Sequence, residues 1–196
     1  MACRNQDVVF NFAAQADIDE AKKNPERTAH VNIIGNLNAL EAAKLSNIKR
    51  FIFASTVYVY SESGSFYRVS KQASEKYVEL YYENYGLPFT VLRFGSLYGR
   101  RTDTKNTIHR LINEALKDNS LTYEGTGDEF REYIHVVDAA KASVDSLTEE
   151  FANQHLVITG HQAIHVRDLL IMIKEIFQNK PSISFSVSIS AINRFL

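Results

Sequence analysis

The sequence is poor in the residues that staple, break or loosen a chain. Among 196 residues it has one cysteine, Cys3, three prolines, eight glycines and no tryptophan. A single cysteine excludes an internal disulfide framework and a cysteine-built zinc site. It fits a reducing compartment, and a cytoplasmic location is the expectation. No apolar run reaches the length of about 18 residues that a membrane-spanning helix needs. The opening MACRNQD has no apolar core of a secretory signal. The formal charge of −1 leaves no basic surplus for nucleic acid or an anionic membrane surface. The scarcity of glycine and proline leaves no low-complexity linker, and there is no internal repeat.

What is present is an ordinary globular composition, 45% hydrophobic and 11% aromatic. The front half alternates apolar runs with helical patterns. Residues 7–14, DVVFNFAA, read as a buried strand of a parallel sheet. Residues 25–45 carry Val31, Ile34, Leu37, Leu40 and Ala43 at three-to-four spacing, a helix starting near Pro25. Residues 50–56, RFIFAST, read as a second buried strand. Residues 67–85 read as a helix stopped by Gly86, and residues 89–94, FTVLRF, as a third strand. This order predicts right-handed crossovers in a doubly wound parallel α/β sheet.

Beyond Gly99 the pattern changes. Helices are expected at 106–117, at 138–150 with Asp138 as cap, and at 166–178. Short strands are expected at 121–123, 133–136 and 155–159. The boundary falls near residue 100, giving 1–100 as a sheet core and 101–196 as a smaller lobe. The tail 182–196, SISFSVSISAINRFL, alternates apolar residues with serine at strand period. It reads either as an edge strand or as the product of a truncated reading frame.

The local chemical signal is Tyr67-Arg68-Val69-Ser70-Lys71. A Tyr and a Lys four apart share a helix face. An ammonium near a phenol lowers its pKa from about 10, which makes the tyrosine a usable acid or base. The helix follows a strand ending Ala54-Ser55-Thr56, and in an open α/β sheet ligands bind beyond the carboxyl ends of strands. A hydroxyl there could bond a substrate oxygen beside the tyrosine. Of the six histidines, His161 and His165 lie four apart but lack the acidic partner of a zinc helix, so no metal is expected. Gly125-Thr126-Gly127 does not open a helix after a strand and is not a dinucleotide fingerprint.

Several segments, in order, resemble the NAD-dependent epimerase/dehydratase family of extended short-chain dehydrogenases/reductases. Residues 7–44 resemble that family's fourth strand and following helix, RFIFASTVYVY its Ser/Thr strand, and YRVSK its Tyr–Lys helix. YGLPFTVLRFGSLYGRR is similar to its lead into the substrate lobe, and GTGDEFREYIHVVDAAKA to its nucleotide diphosphate segment. The resemblance implies a Rossmann-like sheet with a smaller C-terminal substrate-binding lobe, acting as a UDP-glucose 4-epimerase-like enzyme. Tyr67 would be the acid/base, Lys71 would hold the nicotinamide ribose and tune Tyr67, and Thr56 would bond the C4 oxygen. Ala13 and Ala14 would lie against the cofactor, NAD or alternatively NADP, and Asn32 would support that loop. Ser96 and Arg131 would contact the nucleotide-sugar substrate, Arg131 through a phosphate. A homodimer would form through helices 25–45 and 67–85, with Tyr81 and Tyr85 on the shared stripe.

The sequence also departs from the family's pattern. Residue 7 already matches the fourth strand, so at ~30 residues per βα repeat roughly 60–70 residues, including the glycine-rich turn, are expected ahead of it. The strand at residue 8 would then be an exposed edge, and the chain alone would neither bind NAD tightly nor turn over substrate. The loop from Thr56 to Tyr67 is short. Val57 and Tyr58 stand where the family's dehydratases carry Asp-Glu, which disfavours 4,6-dehydration. Ser96 replaces the usual asparagine. A reductase or decarboxylase of the same family, or an inactive fragment, remain alternatives.

Overall fold

A computed structural model describes residues 3–186. By internal contacts the chain forms two units, one reaching Gly95 and taking in Asp138–Ile158, the other made of Ser96–Val137 and the chain from Thr159. The division expected near residue 100 is therefore interleaved, because the chain returns to the first unit through residues 138–158.

The first unit is built on a parallel sheet of β1 (Val8–Asn11), β2 (Arg50–Thr56), β3 (Phe89–Phe94) and β7 (Gln154–Ile158), in that spatial order. Phe51, Ile52 and Phe53 are all buried, as expected of a strand covered on both faces. Helices α1 (Ile18–Lys23), α2 (Pro25–Ala29) and α3 (Gly35–Leu45) join β1 to β2, and α4 (Ser65–Tyr85) joins β2 to β3. Leu40 and Ala43 of α3, Val78 and Tyr81 of α4 and Phe51, Phe53, Phe89 and Val91 of the sheet form one core cluster. A sheet with helical crossovers and a Rossmann-like strand order is the architecture the pattern predicted.

Several local expectations change. The first strand ends at Asn11, so Ala13 and Ala14 lie in the loop after it. The helix over 25–45 contains a π-helical turn, His30–Ile34. Helix α1, capped by the Asp17 side chain, is too short for periodicity to reveal, although Asp17 and Glu20 carried a capping pattern. Asp138 is not a cap: α6 runs Val136–Asp145, and Asp138 sits inside its first turn. The imidazole of His135 accepts from the Val137 amide there.

The second unit contains β4 (Ser96–Tyr98), α5 (Thr107–Asp118), β5 (Ser120–Glu124), β6 (Phe130–His135), β8 (Ala163–His165), α7 (Val166–Ile176) and β9 (Ser182–Ser186). Strands β4 and β6 pair in parallel and β8 adds antiparallel to β6. Leu111 and Ala115 of α5, Leu121, and Val166, Leu170 and Ile173 of α7 make its core. The start of the serine-rich tail is a strand, β9, parallel to β5. Residues 187–196 lie outside the described residues.

Candidate active site

Strand β2 delivers Thr56 at its carboxyl end, and a 3-10 turn, Val57–Tyr60, follows at once. The Thr56 hydroxyl accepts from the Tyr58 amide at 3.2 Å, capping that turn. Gly64, at φ +96°, turns the chain into α4. One helical turn separates Tyr67 from Lys71, and both are buried, as is Thr56. The structure thus brings the three expected residues of the acid/base group together. The Thr56 hydroxyl lies near enough to the Tyr67 phenol to favour its ionised form. The Lys71 ammonium donates to the Ala54 carbonyl at 2.7 Å and lies 5.9 Å from the Tyr67 ring and 4.7 Å from that of Phe53.

The expected tuning of Tyr67 by Lys71 is not seen. Burial pushes the phenol up to about 12, with the Thr56 hydroxyl pulling the other way. Burial also brings Lys71 down to about 8, opposed by the negative charge of Glu75. Desolvation disfavours both charged forms, and the ammonium is committed to Ala54 rather than to the phenol. In this arrangement Tyr67 holds its proton at neutral pH.

Asn32 lies in the π-helical turn and is buried. Its Oδ1 accepts from the Gln15 amide at 2.7 Å, and its Nδ2 donates to the Gln15 carbonyl at 3.1 Å and to Ser70 Oγ at 2.8 Å. Ser70 in turn donates to the Tyr67 carbonyl at 2.7 Å, and Ser74 donates to the Asn32 carbonyl at 2.9 Å. One side chain therefore ties the loop of Ala13 and Ala14 to the helix of Tyr67 and Lys71. A π turn widens the helix by a residue and is common at functional positions.

Sequence reasoning missed a second polar group on α4. Glu75 is buried, accepts from the Ser55 hydroxyl, and takes two nitrogens of Arg93: Nε at 3.1 Å and Nη2 at 2.6 Å. The remaining Nη1 of Arg93 donates to the Tyr60 hydroxyl. The signal was available, because Glu75 follows Lys71 by four residues and so extends the Tyr67–Lys71 stripe.

The other expected site residues belong to the second unit. Ser96 opens β4 and is half-buried. Arg131 lies in β6, where its Nη1 donates to the Phe130 carbonyl at 2.9 Å. Glu129 accepts from the amides of Thr126 and Gly127, so two amides of the Gly125–Gly127 turn are already taken. Among the described residues no group of three or more His, Cys, Asp or Glu side chains is placed to hold a metal. No helix among them is long and apolar enough to cross a membrane.

Residues 1–159 match the profile of the NAD dependent epimerase/dehydratase family. The chain belongs to this family. It is 30% identical to the uncharacterized UDP-glucose epimerase YtcB of Bacillus subtilis over 203 residues, 94% of this chain and 63% of that protein. The structure of UDP-glucose 4-epimerase from Thermotoga maritima with UDP-glucose is 28% identical. It superposes with a TM-score of 0.84 over 92% of this chain and 64% of that one. UDP-glucuronic acid 4-epimerase from Bacillus cereus, in complex with UDP-glucuronic acid and NAD, is 27% identical with a TM-score of 0.85. There the match covers 93% of this chain and 63% of that one. The chain thus spans less than two thirds of the length of these relatives.

The described residues can be compared with what the nicotinamide end of a dinucleotide needs. The loop after β1 carries small side chains, Ala13 and Ala14, on a backbone fixed by Asn32. The Tyr67 hydroxyl and the Lys71 ammonium are donors of the kind that bind ribose hydroxyls. These groups fit the nicotinamide end of a dinucleotide. Among the described residues no strand opens into a helix through a glycine-rich turn, the element that grips a pyrophosphate.

Proposed function

We propose that this chain carries the catalytic half of an NAD-dependent nucleotide-sugar epimerase that acts at the sugar C4. The observation that supports the reading is the convergence of Thr56, Tyr67 and Lys71, all buried, at the carboxyl end of β2. Thr56 donates or accepts at the C4 oxygen and holds it beside the Tyr67 phenol. Tyr67 is the acid/base group, protonated at rest. Lys71 holds the nicotinamide ribose. NAD, or NADP in its place, supplies the redox chemistry at C4 when bound. Ser96 and Arg131 contact the nucleotide-sugar, Arg131 through a phosphate oxygen. Val57 and Tyr58 offer no carboxylate after Thr56, which favours epimerisation over 4,6-dehydration.

The reading includes a requirement for more sheet. Strand β1 is the first strand of the order β1-β2-β3-β7, and Phe10 within it and Phe12 just after it are exposed. A bare apolar edge favours pairing with another strand. A glycine-rich strand–helix unit on that edge would complete the cofactor site, and a homodimer through the helices over 25–45 and 67–85 is part of the same proposal. The test is NAD binding by calorimetry. The 196-residue chain is expected to bind NAD weakly or not at all. A version extended upstream through a glycine-rich unit is expected to bind it and to interconvert C4 epimers of a UDP-sugar. Tight binding by the chain alone would remove the requirement for further sheet. Binding without epimerisation, with net consumption of reduced cofactor instead, would assign the family's reductase chemistry.

A further inference from the structure

The short segment after Thr56 is gripped at three consecutive residues by three different side chains. Gln72 Nε2 donates to the Val59 carbonyl at 2.9 Å. Arg93 Nη1 donates to the Tyr60 hydroxyl, and its guanidinium lies 4.8 Å from the centre of the Tyr60 ring. Arg68 Nη1 donates to the Ser61 carbonyl and pairs with Glu62 at 3.2 Å. Arg68 and Gln72 each follow a residue of the acid/base pair by one position and so form the adjoining stripe of α4. Arg93 is held by the forked pairing of two of its nitrogens with Glu75, which leaves only one nitrogen to reach outward in a fixed direction.

We infer that Arg68, Gln72 and Arg93 are positioning residues, a clamp that sets the Thr56 hydroxyl against the Tyr67 phenol. The route runs through the turn. A hydroxyl has one donor and two acceptor sites. The Tyr58 amide occupies an acceptor site of Thr56, and that leaves the O–H to point elsewhere. Because Val59, Tyr60 and Ser61 are fixed to α4 and β3, the Tyr58 amide cannot swing away, and the Thr56 O–H is kept free to turn to the Tyr67 phenol beside it. A short segment with few internal contacts would otherwise open readily. The inference rests on the proposed roles of Thr56 and Tyr67, but the geometry it claims is testable without cofactor or sugar.

The experiment is NMR of the 196-residue chain with tyrosine labelled at Cζ, whose shift reports hydrogen bonding at the phenol oxygen. Tyr67→Phe assigns the signal, and Thr56→Val and Thr56→Ser mark its position without and with the bond. The clamp is released by Arg68→Ala, Tyr60→Ala and Gln72→Ala together, the last two at exposed positions. Release is expected to move the Tyr67 signal to its place in Thr56→Val, with the thermal midpoint held within a few degrees. Amide exchange over residues 57–63 should accelerate by about tenfold or more. If exchange accelerates while the Tyr67 signal stays in place, the three side chains merely tie down a loop and the positioning role is overturned. If neither readout changes, the clamp itself is overturned. An enzyme that fails to epimerise, with these signals as expected, would count against the proposed reaction and leave the clamp standing.

Discussion

The ammonium of Lys71 ends on the carbonyl oxygen of Ala54, 2.7 Å away, rather than on the phenol one helical turn before it. That pairing satisfies a donor which would otherwise be stranded, for Lys71 is only 2% exposed. It also leaves a measurable imprint on stability. Burial lowers the Lys71 pKa from 10.5 to about 8. Between those values the unfolded chain holds more protons than the folded one, so stability rises with pH through that window. Tyr67 acts in the opposite sense: its pKa is raised from 10.0 to about 12, so its contribution is complete below pH 10 and falls away above it. Urea unfolding at pH 7.5, 9 and 10 should therefore show wild type gaining on Lys71→Met as pH rises. The gain should be on the order of 3 kcal/mol at most, at about 1.4 kcal/mol for each tenfold change in proton affinity. A constant difference across that range would show Lys71 to be unperturbed.

Asn32 makes three side-chain hydrogen bonds, two of them to the backbone of Gln15 and one to Ser70. Asn32→Ala leaves buried partners unsatisfied, which costs about 1–3 kcal/mol for each group that water cannot reach. A loss of roughly 2–4 kcal/mol is expected in denaturant unfolding. Exchange at the Gln15 amide should speed up more than exchange in the core of β2. Asn32→Asp should be no better, because it keeps the acceptor for the Gln15 amide but loses both donors and buries a charge. Equal protection of Gln15 in wild type and Asn32→Ala would refute the tie.

How far these features were legible beforehand depended on their range. Strands β2 and β3 and the stop of α4 at Gly86 were readable because apolar runs and a glycine C-cap act within a few residues. The Tyr67–Lys71 stripe was readable for the same reason. What a spacing cannot carry is the direction a buried charge takes: Lys71 turns to Ala54, seventeen residues away in sequence. The Glu75–Arg93 pair joins a helix to a strand, and Tyr81 shows the same limit. It was expected on one stripe with Tyr85, and the structure adds what spacing did not carry: Tyr81 is buried and its hydroxyl donates to Glu41 at 2.6 Å. Tyr85 does remain exposed, 5.2 Å from it. The return of residues 138–158 to the first unit was equally beyond local pattern, since the pairing of β7 with β3 is long-range.

Two glycines at helix ends should respond differently to alanine. Gly86 follows α4 at φ +69° with open space around it, so Gly86→Ala carries only the left-handed backbone cost of about 1–2 kcal/mol. Gly64 precedes α4 at φ +96°, where a Cβ would come to 3.0 Å from Arg68 Cβ and 3.2 Å from Tyr58 Cβ. Gly64→Ala adds steric displacement of the Arg68 stem to a comparable backbone cost, so a loss larger by about 1 kcal/mol or more is expected. Thermal unfolding of the two variants side by side decides it, and equal losses would show that the turn before α4 yields without cost.

The Glu75–Arg93 pair should be costly to break and cheap to replace. Both side chains are largely withdrawn from water, at 5% and 16% exposure. Removing one partner strands a buried charge, typically a loss of about 3–5 kcal/mol. Arg93→Met and Glu75→Leu are each expected to lose stability on that scale in urea unfolding. The double variant keeps the volume and removes both charges, so it should recover most of the loss, as replaced buried ion pairs often do. Its coupling energy would then be strongly favourable, well outside the ~0.5 kcal/mol scatter of independent sites. The recovered protein would still lack the nitrogen that holds Tyr60, so its exchange over residues 57–63 should remain fast. Stability and turn rigidity would thereby separate, which additive losses in the double variant would contradict.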